Sequence, residues 1–244
     1  MKNTIRKIAK KFNILLANTS HIGIELENDL SRLIASEPLS IVFDVGANHG
    51  QSAIRFANAF KSAQIFSFEP VSSNFQILSS KCASNPKIEL IKKGIGKETG
   101  RFTIGLADCP GQHSLLLSDL SNRRETIDVI TIDDVIREYK LEKIDLLKID
   151  VEGLEMEVLE GAESTLENNK IRFIYAECIF EPNSLSPHTL FPELCNYLKQ
   201  FNFAFFALYH ESFHLATGSA MGNALFVNKQ MLPNKVSGKV VNIV

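Results

Sequence analysis

The sequence lacks several features that mark specialised classes of protein. It contains no tryptophan, only four cysteines among 244 residues, and a net charge of only −2. No apolar run approaches the ~20 residues that a membrane-spanning helix needs. So small a net charge provides no general attraction to nucleic acid or to an anionic membrane, and we expect neither a transmembrane segment nor a nucleic-acid partner. The 45% of apolar and 22% of charged residues are typical of a globular protein.

Cysteine is scarce and unpaired along the chain. Cys82, Cys109, Cys178 and Cys195 lie far apart, and none forms the C-x-x-C pair typical of zinc sites and redox centres. We therefore expect buried thiols in a reducing compartment. The basic start of the chain is not followed by the apolar region of a signal peptide. These observations predict a cytoplasmic protein.

Charge is unevenly distributed along the chain. All 28 acidic residues lie between residues 25 and 211, where 18 basic residues leave a net charge of −10. Residues 1–24 contain five basic residues and no acid, and apolar residues recur there at helical spacing between positions 5 and 16. This pattern predicts an amphipathic helix. Packing on its own domain or on another subunit is the favoured interpretation, and contact with an anionic membrane surface is the alternative.

From residue 39 onward, strand patterns alternate with helical patterns. This alternation predicts an α/β fold, with a mostly parallel sheet covered by helices on both faces. The predicted strands are 39–45, 64–68, 88–92, 144–151, 171–178, 203–209 and 223–228, and the predicted helices are 52–60, 72–83, 154–166 and 189–200. The last two strands are close enough to pair as an antiparallel hairpin at the sheet edge. We divide the chain into a helical extension (1–38), one domain (39–230) and a tail (231–244).

Two further alternating stretches, 101–106 and 126–132, predict a β-ribbon added to this sheet. The polar segment 107–125 between them is predicted to be a loop. Thr131 is followed three residues later by Asp134 and then by an apolar run, which is a helix-start signal. We therefore assign Asp133 and Asp134 to capping rather than to chemistry.

A glycine-containing loop, residues 44–50, joins the first predicted strand to its helix, where open α/β sheets bind ligands. The three-glycine fingerprint of dinucleotide sites fails here, because Asn48 and Gln51 occupy its second and third positions. A carboxylate-bearing ligand therefore suits the loop better than a pyrophosphate. Glu69 directly follows the second strand and lies about twenty residues after the loop, a position at which an acid can bind ribose hydroxyls. Together they predict a nucleoside ligand without a pyrophosphate.

These segments resemble the FkbM-type family of class I methyltransferases, which use S-adenosylmethionine. The resemblance rests on Asp-Val-Gly-Ala-Asn-His-Gly at 44–50, Phe-Glu-Pro at 68–70 and Leu-Lys-Ile-Asp-Val-Glu-Gly at 147–153, with weaker matches out to residue 228. It implies a Rossmann-like sheet of seven strands whose last edge strand is antiparallel. It also implies methyl transfer to a hydroxyl oxygen of a glycan, sugar or secondary-metabolite acceptor.

The resemblance implies a set of cofactor-binding residues at the carboxyl ends of the first strands. Three of them, Gly46, Asn48 and Gly50, would shape the pocket for the methionine end, and Glu69 would hold the ribose. The full set is Asp44, Gly46, Ala47, Asn48, Gly50, Ser52, Glu69, Pro70, Gly94, Ile95 and Asp150.

An alcohol acceptor must lose a proton, so a carboxylate base is expected near the methyl group. Asp150 and Glu152 follow the fourth main strand at the same rim as Glu69, and Asp150 is the favoured base. Helix capping is the alternative role for both acids. Glu177, near the end of the fifth strand, and His113, in the 107–125 loop, are weaker catalytic candidates.

A competing motif occurs at residues 210–214, where His-Glu-Ser-Phe-His matches the H-E-x-x-H pattern of zinc proteases. That chemistry needs a helix and a third ligand. The segment follows an aromatic strand, and no Asp, Glu or His occurs after His214. We therefore predict a chance match and no metal site, while a role for His210 or His214 beside the acceptor stays open.

Two other functions are compatible with the predicted sheet. One is an NAD(P)-dependent oxidoreductase, against which the missing glycines argue. The other is a non-catalytic scaffold of the same fold, against which the intact loop and rim acids argue. A zinc peptidase would require the stoichiometric metal that the H-E-x-x-H segment alone does not support.

Overall fold

Side chains of the central strands alternate between two hydrophobic cores, and in this way the sequence builds a sheet that is covered on both faces. Along the first strand, Phe43 and Val45 pack into one core, while Val42 packs into the other. The structure, a computed structural model, describes residues 21–34, 37–106, 123–181, 189–214 and 218–232.

The main sheet and its helices account for most of the described chain. The sheet contains β1 (Ile41–Val45), β2 (Gln64–Phe68), β3 (Ile88–Ile91), β7 (Ile144–Ile149), β8 (Ile171–Ile179), β9 (Phe203–His214) and β10 (Gly218–Asn228). A small second sheet contains β4 (Gly94–Ile95), β5 (Gly100–Gly105) and β6 (Arg124–Ile130). The helices are α1 (Leu26–Ile34), α2 (Gln51–Ala59), α3 (Ser72–Cys82), α4 (Ile132–Glu138), α5 (Glu155–Glu160), α6 (Glu163–Glu167) and α7 (Phe191–Lys199).

The strand order of the main sheet is β3-β2-β1-β7-β8-β10-β9. Strand β10 runs antiparallel to both of its neighbours, whereas the other pairs are parallel. This confirms the predicted Rossmann-like sheet of seven strands with an antiparallel last strand. The hairpin of β9 and β10 ends the sheet, with β10 inside and β9 outermost. The order reverses between β1 and β7, and the carboxyl ends of the strands leave a crevice at such a point.

The predicted β-ribbon is present as part of the small sheet. Strand β5 pairs antiparallel with β6, and β4 pairs parallel with β6 on its other side. The hydroxyl of Thr131 then caps α4 by accepting a hydrogen bond from the amide of Asp134 at 3.0 Å, which confirms the predicted helix start. Asp133 caps a different helix, because its carboxylate accepts hydrogen bonds from the amides of Ser164 and Thr165 at 3.1 and 2.9 Å.

The helix predicted over 154–166 is divided into α5 and α6, with Gly161 at the break. A Cβ atom at Gly161 would lie only 2.0 Å from the carbonyl oxygen of Gly96. Backbone therefore packs directly on backbone at this point. The contact joins the small sheet to the helices that cover the main sheet.

Helix α1, in the predicted N-terminal extension, packs on the sheet face that also carries α2 and α3. The carboxylate of Asp29 is fully buried there, and it accepts hydrogen bonds from the Tyr209 hydroxyl at 2.8 Å and the Gly23 amide at 2.7 Å. The amphipathic segment between residues 5 and 16 lies outside the described residues. In the ranges that the structure covers, every helix is too short or too polar to cross a bilayer.

Candidate functional site

A cavity of about 500 Å³ opens at the carboxyl ends of β1, β2 and β7. Its volume and mixed lining are typical of a site for a small organic ligand. The apolar part of the wall consists of Val45, Phe68, Val71, Ile95, Phe102, Ile104, Ile127, Val129, Val151 and Leu154. The polar part consists of Asn48, Glu69, Asn74, Lys97, Glu98, Asp150, Glu152 and Glu157.

The glycine loop after β1 passes very close to the end of β7. A Cβ atom at Gly46 would lie 1.8 Å from the carbonyl oxygen of Asp150, and Gly46 itself has a φ of +74°. The amides of Gly46 and Ala47 donate hydrogen bonds to the carbonyl of Phe68 at 3.1 and 2.9 Å. Only glycine satisfies both the positive φ and the close approach, so the loop conformation depends on this residue.

Lys148 lies beneath this loop, with only 4% of its side chain exposed. Its Nζ atom is 2.8 Å from the carbonyl oxygen of Gly46, 3.1 Å from a carboxylate oxygen of Asp44 and 3.3 Å from one of Asp150. Burial disfavours the charge, but Asp150 and Asp44 more than compensate and raise the pKa of Lys148. The sequence motifs did not identify Lys148 as a functional candidate, although a lysine inside an apolar strand was a visible signal.

Glu69 is the most enclosed of the acids that line the cavity, at 4% exposure. One carboxylate oxygen accepts a hydrogen bond from the Asn48 amide and the other accepts one from the Val71 amide, both at 2.9 Å. Burial raises the pKa of Glu69 to about 7, although these two amides and the nearby Lys148 act in the opposite direction. Each carboxylate oxygen has a second lone pair, with which it can accept a hydrogen bond from a ligand.

Glu152 is a second acid in the cavity wall whose pKa is raised. Its backbone is left-handed, with a φ of 55°. Burial, followed by the negative charges of Asp150 and Glu155, raises the pKa of Glu152 to about 7. Glu177 on β8 lies close to the same charges, and burial together with Asp150 and Glu152 raises its pKa to about 8. Two carboxyl groups that line the cavity, Glu69 and Glu152, therefore have pKa values near neutrality, and Glu177 lies close to Glu152.

The segment that carries Glu152 is held by a buried carboxylate. Glu155 accepts hydrogen bonds from the amides of Val151 and Gly153 at 3.3 and 3.1 Å. Its other oxygen accepts one from the hydroxyl of Thr189 at 2.7 Å. These contacts fix the turn between β7 and α5, so Glu152 is presented on a defined backbone.

The structure brings most of the predicted site residues to one cavity. Those that line it are Gly46, Asn48, Glu69, Pro70, Gly94, Ile95, Asp150 and Glu152. Those that the lining does not include are Asp44, Ala47, Gly50, Ser52 and Glu177. Asp44 is instead fully buried against Lys148. His113 lies outside the described residues.

The small sheet contributes a wall that we did not predict. Phe102 and Ile104 of β5, with Ile127 and Val129 of β6, face the cavity. The predicted ribbon had no assigned role, yet these residues alternate two apart on each strand and so share one face. That spacing was the signal that could have identified the apolar wall.

The His-Glu-Ser-Phe-His segment lies on strand β9 and not on a helix. His210 has a φ of 52°, and its ring Nε2 atom is 3.5 Å from the guanidinium of Arg55. The H-E-x-x-H zinc site requires both histidines on one face of a helix. The observed strand therefore does not supply the backbone on which that site depends.

The family model of the FkbM methyltransferase domain matches residues 44–205. Among curated proteins, the chain is similar to methyltransferase sdnD of Sordaria araneosa, with 29% identity over 60% of this chain and 68% of that protein. It is also similar to 2-O-methyltransferase NoeI of Sinorhizobium fredii, with 29% identity over 59% of this chain and 65% of that protein. Hexuronic acid methyltransferase AglP of Haloferax volcanii is 26% identical over 62% of each chain. The matched segment thus spans about two thirds of these relatives.

Solved structures show more distant likenesses. The O-methyltransferase TomG from Streptomyces achromogenes, in complex with SAM, has a TM-score of 0.46 and 12% identity, covering 93% of this chain and 88% of that chain. Fibrillarin from Aeropyrum pernix, with bound S-adenosyl-L-methionine, has a TM-score of 0.44 and 14% identity over 76% of this chain and 66% of that chain.

Proposed function

Because the chain belongs to the FkbM methyltransferase family, we propose that it transfers a methyl group from S-adenosylmethionine to a hydroxyl oxygen of a sugar, glycan or secondary metabolite. The observation that carries the proposal is that one cavity at the crevice of the sheet joins the glycine loop, Glu69, the acids Asp150 and Glu152, and an apolar wall. The relative named as a 2-O-methyltransferase supports oxygen as the acceptor atom, and the relative named for hexuronic acid supports a sugar.

The cavity residues fit this cofactor. Glu69 offers lone pairs on both carboxylate oxygens, as two ribose hydroxyls require. The side-chain oxygen of Asn48 is buried and has no hydrogen-bond partner within the described ranges, so it can accept from an ammonium group. Apolar side chains such as Ile95 and Ile127 offer a surface for an adenine ring. Gly46 keeps the loop backbone close to the ligand.

The rim acids can supply the remaining chemistry. S-adenosylmethionine, when bound, supplies a methyl group on a positively charged sulfur. The protein must then hold the acceptor hydroxyl in line and accept its proton. Glu152 suits the second task, because it lines the cavity and its pKa lies near neutrality. Asp150 is held by Lys148 at 3.3 Å, so a positioning role suits it better than the role of base that its sequence position favoured.

Isothermal titration calorimetry of the purified chain with S-adenosylhomocysteine tests the proposal. We expect one ligand per chain, and we expect labelled methyl groups to pass from S-adenosylmethionine to hydroxyl compounds in a panel of sugars, glycans and small alcohols. Binding of NAD(P)H without binding of S-adenosylhomocysteine would instead support an oxidoreductase. Binding of neither cofactor would support a non-catalytic scaffold.

A further inference from the structure

Strand β7 carries a buried cationic side chain, that of Lys148. The strand is buried along its whole length, and a charge in such a place is costly unless it is paired. The three protons of an ammonium group can serve three acceptors. Lys148 meets the carbonyl of Gly46 and the carboxylates of Asp44 and Asp150, all within 3.3 Å.

These acceptors belong to two segments that come together from different parts of the chain. Asp44 and Gly46 end β1 and begin the glycine loop, whereas Asp150 follows β7. The amide of Asp150 donates a hydrogen bond to the carbonyl of Val45 at 3.2 Å. The same segments come so close that a Cβ atom at Gly46 would lie 1.8 Å from the carbonyl oxygen of Asp150. Lys148 therefore joins them from beneath the glycine loop.

We propose that Lys148 is a positioning residue that fixes the glycine loop and the Asp150–Glu152 segment relative to each other and sets the charge of the acids at the rim. What the cavity binds rests on the proposed function, whereas the position of the loop does not. Asp44 belongs to the same arrangement, because its fully buried carboxylate pairs with Lys148 and does not line the cavity.

The electrostatics of the rim support this role. The positive charge of Lys148 lowers the pKa of Glu69, Glu152 and Glu177, against the burial that raises all three. The charges that face Glu152 are Asp150 at the end of β7, Glu155 on α5 and Lys148 itself. Glu177 on β8 faces these groups and Glu152. Removal of the cation leaves these carboxylates to repel one another, so they hold protons to higher pH.

Lys148→Met and Arg172→Met form a matched pair of variants. Arg172 is also a buried cation, at 1% exposure, and it lies on the adjacent strand β8. It faces Asp145 at 3.9 Å and donates a hydrogen bond to the carbonyl of Glu37 at 2.9 Å, at the opposite end of the sheet. Lys148→Met leaves the buried carboxylate of Asp44 without its cation. Arg172→Met removes one of the two cations beside the buried carboxylate of Asp145 and leaves Lys143 at 3.1 Å, so both variants lose stability. Only Lys148→Met removes the link beneath the loop.

Amide hydrogen exchange provides a readout that needs no cofactor. Residues 46, 47, 48 and 50 all donate backbone hydrogen bonds in the native loop. We expect exchange at these amides to be at least tenfold faster in Lys148→Met than in Arg172→Met. If Lys148→Met fails to fold, Asp44→Asn/Lys148→Met removes the stranded carboxylate too and serves in its place. Equal exchange in the two folded variants would overturn the proposal.

Calorimetry adds a functional readout. Lys148→Met should bind S-adenosylhomocysteine at least tenfold more weakly than Arg172→Met, and its rim acids should titrate at higher pH by carbon-13 NMR of labelled glutamate. Normal affinity together with an unchanged titration would also contradict the proposed role. If the wild-type chain binds no S-adenosylhomocysteine, the proposed function fails, and hydrogen exchange and the carboxyl titration still decide the role of Lys148.

Discussion

Among single residues, Glu69 offers the most direct test of the cofactor site. Replacing Glu69 with Ala should weaken the binding of S-adenosylhomocysteine at least tenfold. The reason is that a hydrogen bond to a charged group contributes about 1.5–3 kcal/mol and Glu69 can make two of them. Calorimetry measures the affinity. Glu89→Ala, on the exposed side of β3, is the control and should bind as the wild type does. An unchanged affinity in Glu69→Ala would refute the ribose assignment.

Glu152 makes a prediction about pH. A base works only when it is ionised, so the rate of methyl transfer should rise as the pH increases through about 7, the pKa of Glu152. Glu152→Gln should lower kcat by about 100-fold or more, the usual contribution of a general base, and should abolish this rise. A pH–rate profile of wild type and variant measures both effects.

Asp150→Asn is the matched comparison for Glu152→Gln. It removes the negative charge that raises the pKa of Glu152, so the rise in rate should move to lower pH while activity persists. The opposite pattern, with activity lost in Asp150→Asn and kept in Glu152→Gln, would restore Asp150 as the base.

Sequence spacing predicted the acids and the glycine loop but did not predict Lys148, which joins them. Glu69, Asp150 and Glu152 follow strands whose ends meet at one edge of the sheet, and local patterns reveal those ends. The role of Lys148 depends on Asp44, which lies directly opposite it in the parallel register of β1 and β7. Such a pairing is set by the packing of distant strands, which no single segment of the sequence records.

Among elements, the junction of α5 and α6 is fixed by the close contact between Gly161 and Gly96. Gly161→Ala should force the two backbones apart, because its Cβ would lie 2.0 Å from the Gly96 carbonyl. We expect a loss of about 1–3 kcal/mol in the free energy of unfolding, the usual cost of overpacking. Urea unfolding measures it. Gly100→Ala serves as control, since its Cβ meets only the Phe102 ring at 3.3 Å, and should cost much less.

The same junction shows why the helix boundary was predicted wrongly. Val158, Ala162 and Leu166 are buried as their helical spacing predicted. The apolar pattern continues across the break, so periodicity alone indicates one helix. The interruption at Gly161 arises from contact with the small sheet, whose position depends on how β4 pairs with β6. Local pattern therefore predicted the buried face of this segment but not its division.

For the whole molecule, three acids with raised pKa values make the free energy of unfolding depend on pH. Glu69, Glu152 and Glu177 have folded pKa values of about 7, 7 and 8, above the unfolded value of 4.5. Between these limits the folded state binds more protons than the unfolded state, so the free energy of unfolding falls as the pH rises. From pH 5.5 to 8.5 we expect a loss on the order of 2 kcal/mol, after allowing for solvent screening of the partly exposed acids.

Urea unfolding at a series of pH values measures this loss. Glu177→Gln removes one of the three groups and should flatten the dependence. A wild-type stability that rises between pH 5.5 and 8.5 would contradict the assignment of buried, protonated acids.

The acids of the cavity link the charge of the bound cofactor to the uptake and release of protons. In the proposed reaction a positively charged cofactor would become a neutral product, and Glu152 would line the cavity that holds either one. A carboxylate with a pKa near 7 would ionise more readily beside the cation and would regain its proton beside the neutral product. The rim then distinguishes spent from fresh cofactor by charge alone, and product exchange takes up or releases protons. Inhibition by the product should accordingly be strongest below neutrality, where the protonated rim no longer prefers the cation.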